Sequence, residues 1–100
     1  MTKTSHAEKS VLVIDVGGTH VKSLATGHAE SVKFDSGSEL TPQMMVDGVT
    51  AVIGDWNYDV VSVGFPAPVL HNKIMREPVN LAHGWIGFDF EQAFGKPVRI

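Results

Sequence analysis

The stretch Val11-Leu-Val-Ile-Asp-Val16 constrains the fold more than any other part of the chain. It is a continuous run of β-branched and aliphatic residues, and it reads as a strand buried on both faces. Gly17-Gly18 follows at once. Two glycines between strand-like runs are a hairpin signal. His20 to Thr26, with its Val, Leu and Thr, makes a second strand, and Gly27-His28 a second turn. Glu30 to Asp35 alternates Val32 and Phe34 with charged neighbours, the pattern of a half-buried third strand near an edge. The chain is therefore expected to open with a three-stranded antiparallel meander.

Beyond the loop Ser36-Gly-Ser38, Thr41-Pro42 is a helix start, with Thr as N-cap and Pro at the first helical position. Met45, Val46, Val49, Val52 and Ile53 fall at helical spacing and form one apolar face, with Gly54 and Asn57 as terminators. Gly48 weakens this helix by about 1 kcal/mol relative to Ala. Val60 to Phe65 is a second apolar strand, and a crossover helix predicts that it runs parallel to the first. Pro66-Ala-Pro68 ends it. A short hairpin around His71-Asn72, an irregular segment from Glu77 to Gly87, a short helix capped by Asp89, and a strand from Pro97 complete the chain. The order β-β-β-α-β-loop-α-β predicts an α/β layered unit on a mixed sheet. The chain stops inside an apparent strand with no helix after it, which reads as a truncated lobe spanning residues 11–100. Residues 1–10 read as a disordered polar tail.

Composition removes several function classes. The chain has 100 residues, with 8 Lys+Arg against 11 Asp+Glu, so its formal charge of −3 gives no basis for a nucleic-acid or anionic-membrane partner. No Cys means no disulfide framework and no thiolate zinc site, which allows a cytoplasmic location. The N-terminal residues lack an export signal. The longest uncharged stretch, Val60 to Asn72, is far short of the ~20 apolar residues that span a bilayer. The histidines at 6, 20, 28, 71 and 83 show no metal-site spacing. Trp85, Phe88, Phe90 and Phe94 lack an interleaved basic stripe and read as packing rather than a stacking platform. Lys73 and Arg76 read as solvated surface cations, and Asp55 and Asp59 as charges of a helix end and a loop.

The chemistry concentrates in Asp15-Val-Gly-Gly-Thr-His-Val-Lys22. Glycines let backbone approach a ligand closely and permit positive φ, and successive amides in such a turn form a nest for an anion. Thr19 adds a hydroxyl donor. Asp15 at a strand end suits a hydrated Mg²⁺ that bridges to phosphates, since this ion takes one or two carboxylates and keeps its waters. A plain hairpin whose Asp caps nearby amides is the alternative reading. Neither a Gly-x-x-x-x-Gly-Lys-Ser/Thr loop nor a Gly-x-Gly-x-x-Gly motif is present, so P-loop and Rossmann readings are disfavoured.

Ile14-Asp-Val-Gly-Gly-Thr19 resembles the first phosphate motif of the actin-like sugar kinases, in particular the repressor/ORF/kinase (ROK) group. Val63-Gly-Phe-Pro-Ala-Pro-Val69 resembles that family's sugar-side loop, and Glu77-Pro-Val-Asn-Leu-Ala-His-Gly-Trp85 its Asn-Leu-x-x-Trp segment. Gly87-Phe-Asp-Phe-Glu91 and Gly95-Lys-Pro-Val98 resemble the short helix and strand entry that follow. The combination is most similar to the polyphosphate-glucokinase-like members. The resemblance implies a ribonuclease-H-like, actin-like N-terminal lobe and transfer of phosphate from ATP or polyphosphate to glucose or a similar hexose, with Mg²⁺. It implies that Asp15 positions Mg²⁺ through water, that Gly17, Gly18, Thr19 and Lys22 meet the phosphates, and that Ala67, Pro68 and Asn80 lie by the sugar. Ala67-Pro68 stands where the family usually places glycine. The family's general base is expected beyond Ile100, so the chain by itself is expected to be inactive. The competing expectation is a non-catalytic module that forms a homodimer through an unfinished sheet edge and an uncovered apolar face. A ROK repressor is disfavoured, because ten residues cannot hold a winged helix-turn-helix.

Overall fold

The computed structural model describes residues 9–100. The expected tail falls mostly on residues 1–8, outside the described residues, as does His6. Ser10 is no part of a free tail: its N–H donates to the Asp59 carboxylate at 2.8 Å, and its carbonyl accepts from the Asp59 and Val60 amides.

Strands β1 (Val11–Val16), β2 (His20–Ala25) and β3 (Val32–Asp35) form the meander, and helix α1 (Pro42–Ile53) follows. Then come β4 (Val60–Gly64), the two-residue strands β5 (Val69–Leu70) and β6 (Lys73–Ile74), helix α2 (Phe90–Phe94) and β7 (Val98–Arg99). The main sheet has five strands in the order β3-β2-β1-β4-β7; the first three are antiparallel, whereas β4 and β7 run parallel to β1. Strands β5 and β6 pair separately as a small hairpin. Several ends fall one or two residues inside the expected ones: the third strand starts at Val32 rather than Glu30, and the last covers only Val98–Arg99. Among the described residues no helix is long and apolar enough to cross a membrane.

Local signals account for α1. The Thr41 hydroxyl accepts the Met44 N–H at 3.1 Å, and Pro42 occupies the first turn, where its missing N–H costs nothing. The stripe Met45, Val46, Val49 and Ile53 is buried against Leu12, Ile14, Val16 and Val21 of the sheet. One expectation is corrected here. Strand β1 is buried on one face only: Val13 is 46% exposed, and Asp15 also faces outward. The reason is coverage. Helix α1 packs on β2 and β3 from one side, and the described residues bring no layer to the other. Fully buried Ser23 carries a hydroxyl without a partner among the described residues, a cost of about 1–3 kcal/mol.

Gly48 has a packing reason that propensity does not show. A Cβ built there would lie 2.5 Å from the Phe34 ring, so the helix backbone is the surface on which β3 docks its aromatic residue. Gly48→Ala is therefore expected to destabilise by about 1 kcal/mol. Overpacking of ~1–3 kcal/mol outweighs the ~1 kcal/mol propensity gain. A chemical-denaturation midpoint checks the sign.

The β5–β6 turn places His71 (φ 52°) and Asn72 (φ 64°) in the left-handed region. This aims the Asn72 side chain at the outer edge of β7. Its Nδ2 donates to the Val98 carbonyl at 3.0 Å, and its Oδ1 accepts the Ile100 N–H at 2.6 Å. One carboxamide thus meets the backbone edge that the sequence reading left open for a second copy.

Candidate functional site

The parallel strands β1 and β4 end side by side, and in open α/β sheets ligands favour the crevice beyond such carboxyl ends. Asp15 is in register with Gly64 on one side and Lys22 on the other. A Cβ at Gly64 would lie 3.5 Å from Asp15 Oδ1, an ordinary contact, so the carboxylate lies directly beside the end of β4. Among the described residues Asp15 forms neither an ion pair with Lys22 nor a side-chain hydrogen bond.

The turn that follows is held from outside. Ser36 Oγ donates to the Gly17 carbonyl at 2.7 Å, Ser36 N–H to Thr19 at 2.9 Å, and Gly37 N–H to Gly18 at 3.3 Å. All three carbonyls are thus tied back by Ser36 and Gly37. The Gly17 N–H is committed to the His20 carbonyl at 2.9 Å. Within the described residues the amides of Gly18 and Thr19 and the Thr19 hydroxyl meet no acceptor, and both residues are exposed. Positive φ is not what requires glycine here, since neither Gly17 nor Gly18 adopts it. Close approach is, at Gly17, where a Cβ would come within 3.1 Å of the His20 carbonyl; a Cβ on Gly18 would meet Asn80 Cβ at 3.4 Å, an ordinary contact.

Asn80 therefore reaches the turn from far along the chain. It rides on the loop of residues 77–87, which is wound around Glu77. Glu77 Oε1 accepts the Gly84 and Trp85 amides at 3.1 and 3.0 Å, and Oε2 accepts the Ile86 amide at 3.1 Å. Burial pushes this carboxyl up. The amides of Trp85, Ile86 and Gly84 outweigh that, with attraction to His83 added, and hold it below its ordinary 4.5. A folded value below the unfolded one stabilises above the ordinary range, and this is lost as pH falls through the folded value. Acidification below pH 4.5 is thus expected to loosen the loop, with the Gly84, Trp85 and Ile86 amide resonances moving together and a midpoint under 4.5.

Ala67 and Pro68 leave the carboxyl end of β4, but the Pro68 carbonyl accepts the Met75 N–H at 2.9 Å, which ties this loop to the hairpin rather than to the turn. His20 faces Asp35 at 3.5 Å, an exposed cross-strand pair. Trp85 is fully buried among Phe65 and Phe90, a packing residue as the sequence reading held. Two open grooves, of ≈ 660 and ≈ 780 Å³, border β7; neither is lined by Asp15 or the turn. The described residues contain no group of three or more His, Cys, Asp or Glu able to cage a metal. Sequence reasoning missed Ser36 and Glu77. Both act on backbone groups distant in sequence, and no spacing rule reports that.

The fold is a five-stranded mixed sheet with few helices that carries its loops beyond the carboxyl ends of parallel strands. Among solved structures the chain is similar to a ROK family glucokinase from Streptomyces griseus in complex with glucose and AMPPNP, with a TM-score of 0.69 at 17% identity. The likeness covers 91% of this chain and 32% of that one, so the chain spans about a third of the glucokinase's length. At that identity the likeness shows the fold. No protein-family description and no curated protein matches the chain.

Proposed function

We propose that this chain is the phosphate-receiving lobe of a glucokinase-type enzyme that passes a phosphoryl group from ATP or polyphosphate to glucose or a similar hexose. One observation carries the reading: two exposed, unengaged amides and a hydroxyl, at Gly18 and Thr19, follow three and four residues after the Asp15 carboxylate, which has no side-chain partner among the described residues and stands at the end of a parallel strand pair. Phosphoryl transfer needs positioning and charge neutralisation more than covalent help from the protein. The amides of Gly18 and Thr19 would hold phosphate oxygens, Gly17 would let the backbone come close, and Lys22 would add positive charge across from Asp15. Ala67, Pro68 and Asn80 would border the sugar.

Mg²⁺ fits the donor set. A single free carboxylate suits an ion held mainly by phosphate oxygens and water, and Asp15 would hold it through water. When bound, the ion neutralises charge on the phosphates. The test is an amide-resolved titration with Mg·AMPPNP and, separately, Mg·tripolyphosphate. Gly18 and Thr19 are expected to move first with at least one donor, and the choice of donor separates nucleotide from polyphosphate use. Saturable shifts confined to the grooves beside β7 would overturn the proposal.

A further inference from the structure

We infer that Glu77 is a positioning residue for the phosphate turn: by gathering the amides of Gly84, Trp85 and Ile86 it sets the loop of residues 77–87 so that Asn80 is seated on Gly18. The inference rests on reading that turn as the phosphate site, and gives the site a second wall from a distant part of the chain.

No helix or strand lies between β6 and α2, and long segments of that kind in compact domains are usually functional or disordered. This one is ordered by few anchors. Leu81 and Trp85 are buried, the Trp85 Nε1–H donates to the Ala82 carbonyl at 2.7 Å, and the Ala82 N–H donates to Leu40 at 3.1 Å. Those contacts pin the middle and the far end. Glu77 joins the near end to the far end across seven to nine residues. Between them Val79 is 91% exposed and Asn80 is exposed too, so the pair is held by its buried neighbours Pro78 and Leu81 and not by burial of its own side chains. Its placement follows from those two flanking anchors together with the Glu77 closure, which fixes how the loop carrying them is folded.

The chemistry explains why an acid stands here. Three N–H donors converge on two oxygens, one taking two donors and the other one. A carboxylate satisfies all three. A carboxamide offers one acceptor oxygen and turns its own N–H groups against the remaining amide. Glu77→Gln is therefore a partial loss and Glu77→Ala a complete one.

The experiment has two arms. In the free protein, Glu77→Ala is expected to shift the Gly18 and Asn80 amide resonances while leaving Val60 to Val63 in place, and Glu77→Gln to shift them part of the way. In the second arm, affinity for Mg·tripolyphosphate is expected to fall about tenfold in Glu77→Ala, the scale of one charge-assisted hydrogen bond. The fall is expected to be smaller in Glu77→Gln and absent when Glu77→Ala is added to Asn80→Ala. Unmoved Gly18 and Asn80 resonances in a folded Glu77→Ala or Glu77→Gln variant would overturn the inference. So would an undiminished Glu77→Ala effect in the Asn80→Ala background. If the wild-type chain binds no donor, the phosphate reading fails, and the first arm still decides whether Glu77 places Asn80.

Discussion

Truncating Trp85 to alanine is expected to cost about 3–5 kcal/mol, a large share of the ~5–15 kcal/mol that holds a domain of this size together. The indole has no exposed surface, and its ring sits 4.9 Å from Phe65 and 6.3 Å from Phe90, centre to centre. Its removal opens a cavity beneath the 77–87 loop and leaves the Ala82 carbonyl without its 2.7 Å donor. At roughly 4–8 °C per kcal/mol for a domain of this length, the melting temperature is expected to drop by at least ~12 °C. Thermal unfolding followed by far-ultraviolet circular dichroism checks this. A shift of a few degrees would mean that the loop layer is an appendage and not part of the core.

The second large effect is functional. Asp15→Asn is expected to weaken binding of Mg·AMPPNP or Mg·tripolyphosphate by about tenfold to a hundredfold while the fold stays intact. The stability half follows from surroundings: Asp15 faces outward and has no side-chain hydrogen bond among the described residues, so the isosteric amide disturbs nothing. The binding half follows from charge. A lone carboxylate is what this surface offers a hydrated cation, and each decade of affinity is about 1.4 kcal/mol. Calorimetric titration of both proteins at matched ionic strength measures the difference. Equal affinities would remove Asp15 from the site.

Much of the fold was legible because its signals are local. Thr41-Pro42 announces α1 through a cap and a fixed φ, Asp89 and Gly95 bracket α2, and the left-handed pair at His71-Asn72 turns the small hairpin. The parallel pairing of β1 with β4 follows from a crossover rule that needs only chain order. What could not be read depends on neighbours that the sequence does not list. Strand β1 has the composition of a strand covered twice, yet Val13 stays 46% exposed because coverage belongs to the whole fold. Gly48 looks like a weakness until Phe34 is placed on it. Gly17-Gly18 marks the turn, but neither takes positive φ, and what favours glycine at Gly17 is close approach to the His20 carbonyl. Within the site, Asp15, Gly18 and Thr19 stood out by adjacency, whereas Glu77 and Ser36 act through backbone groups that no motif marks.

The most direct measurement replaces Mg²⁺ by Mn²⁺ in the presence of AMPPNP and maps paramagnetic broadening across the backbone amides. If the hairpin turn takes phosphate beside a carboxylate-held cation, broadening will centre on Asp15 to Thr19 and Gly64, spare Val11 and Val60 at the opposite strand ends, and fade in Asp15→Asn. Broadening centred on another acidic residue, or equally strong in Asp15→Asn, would contradict it.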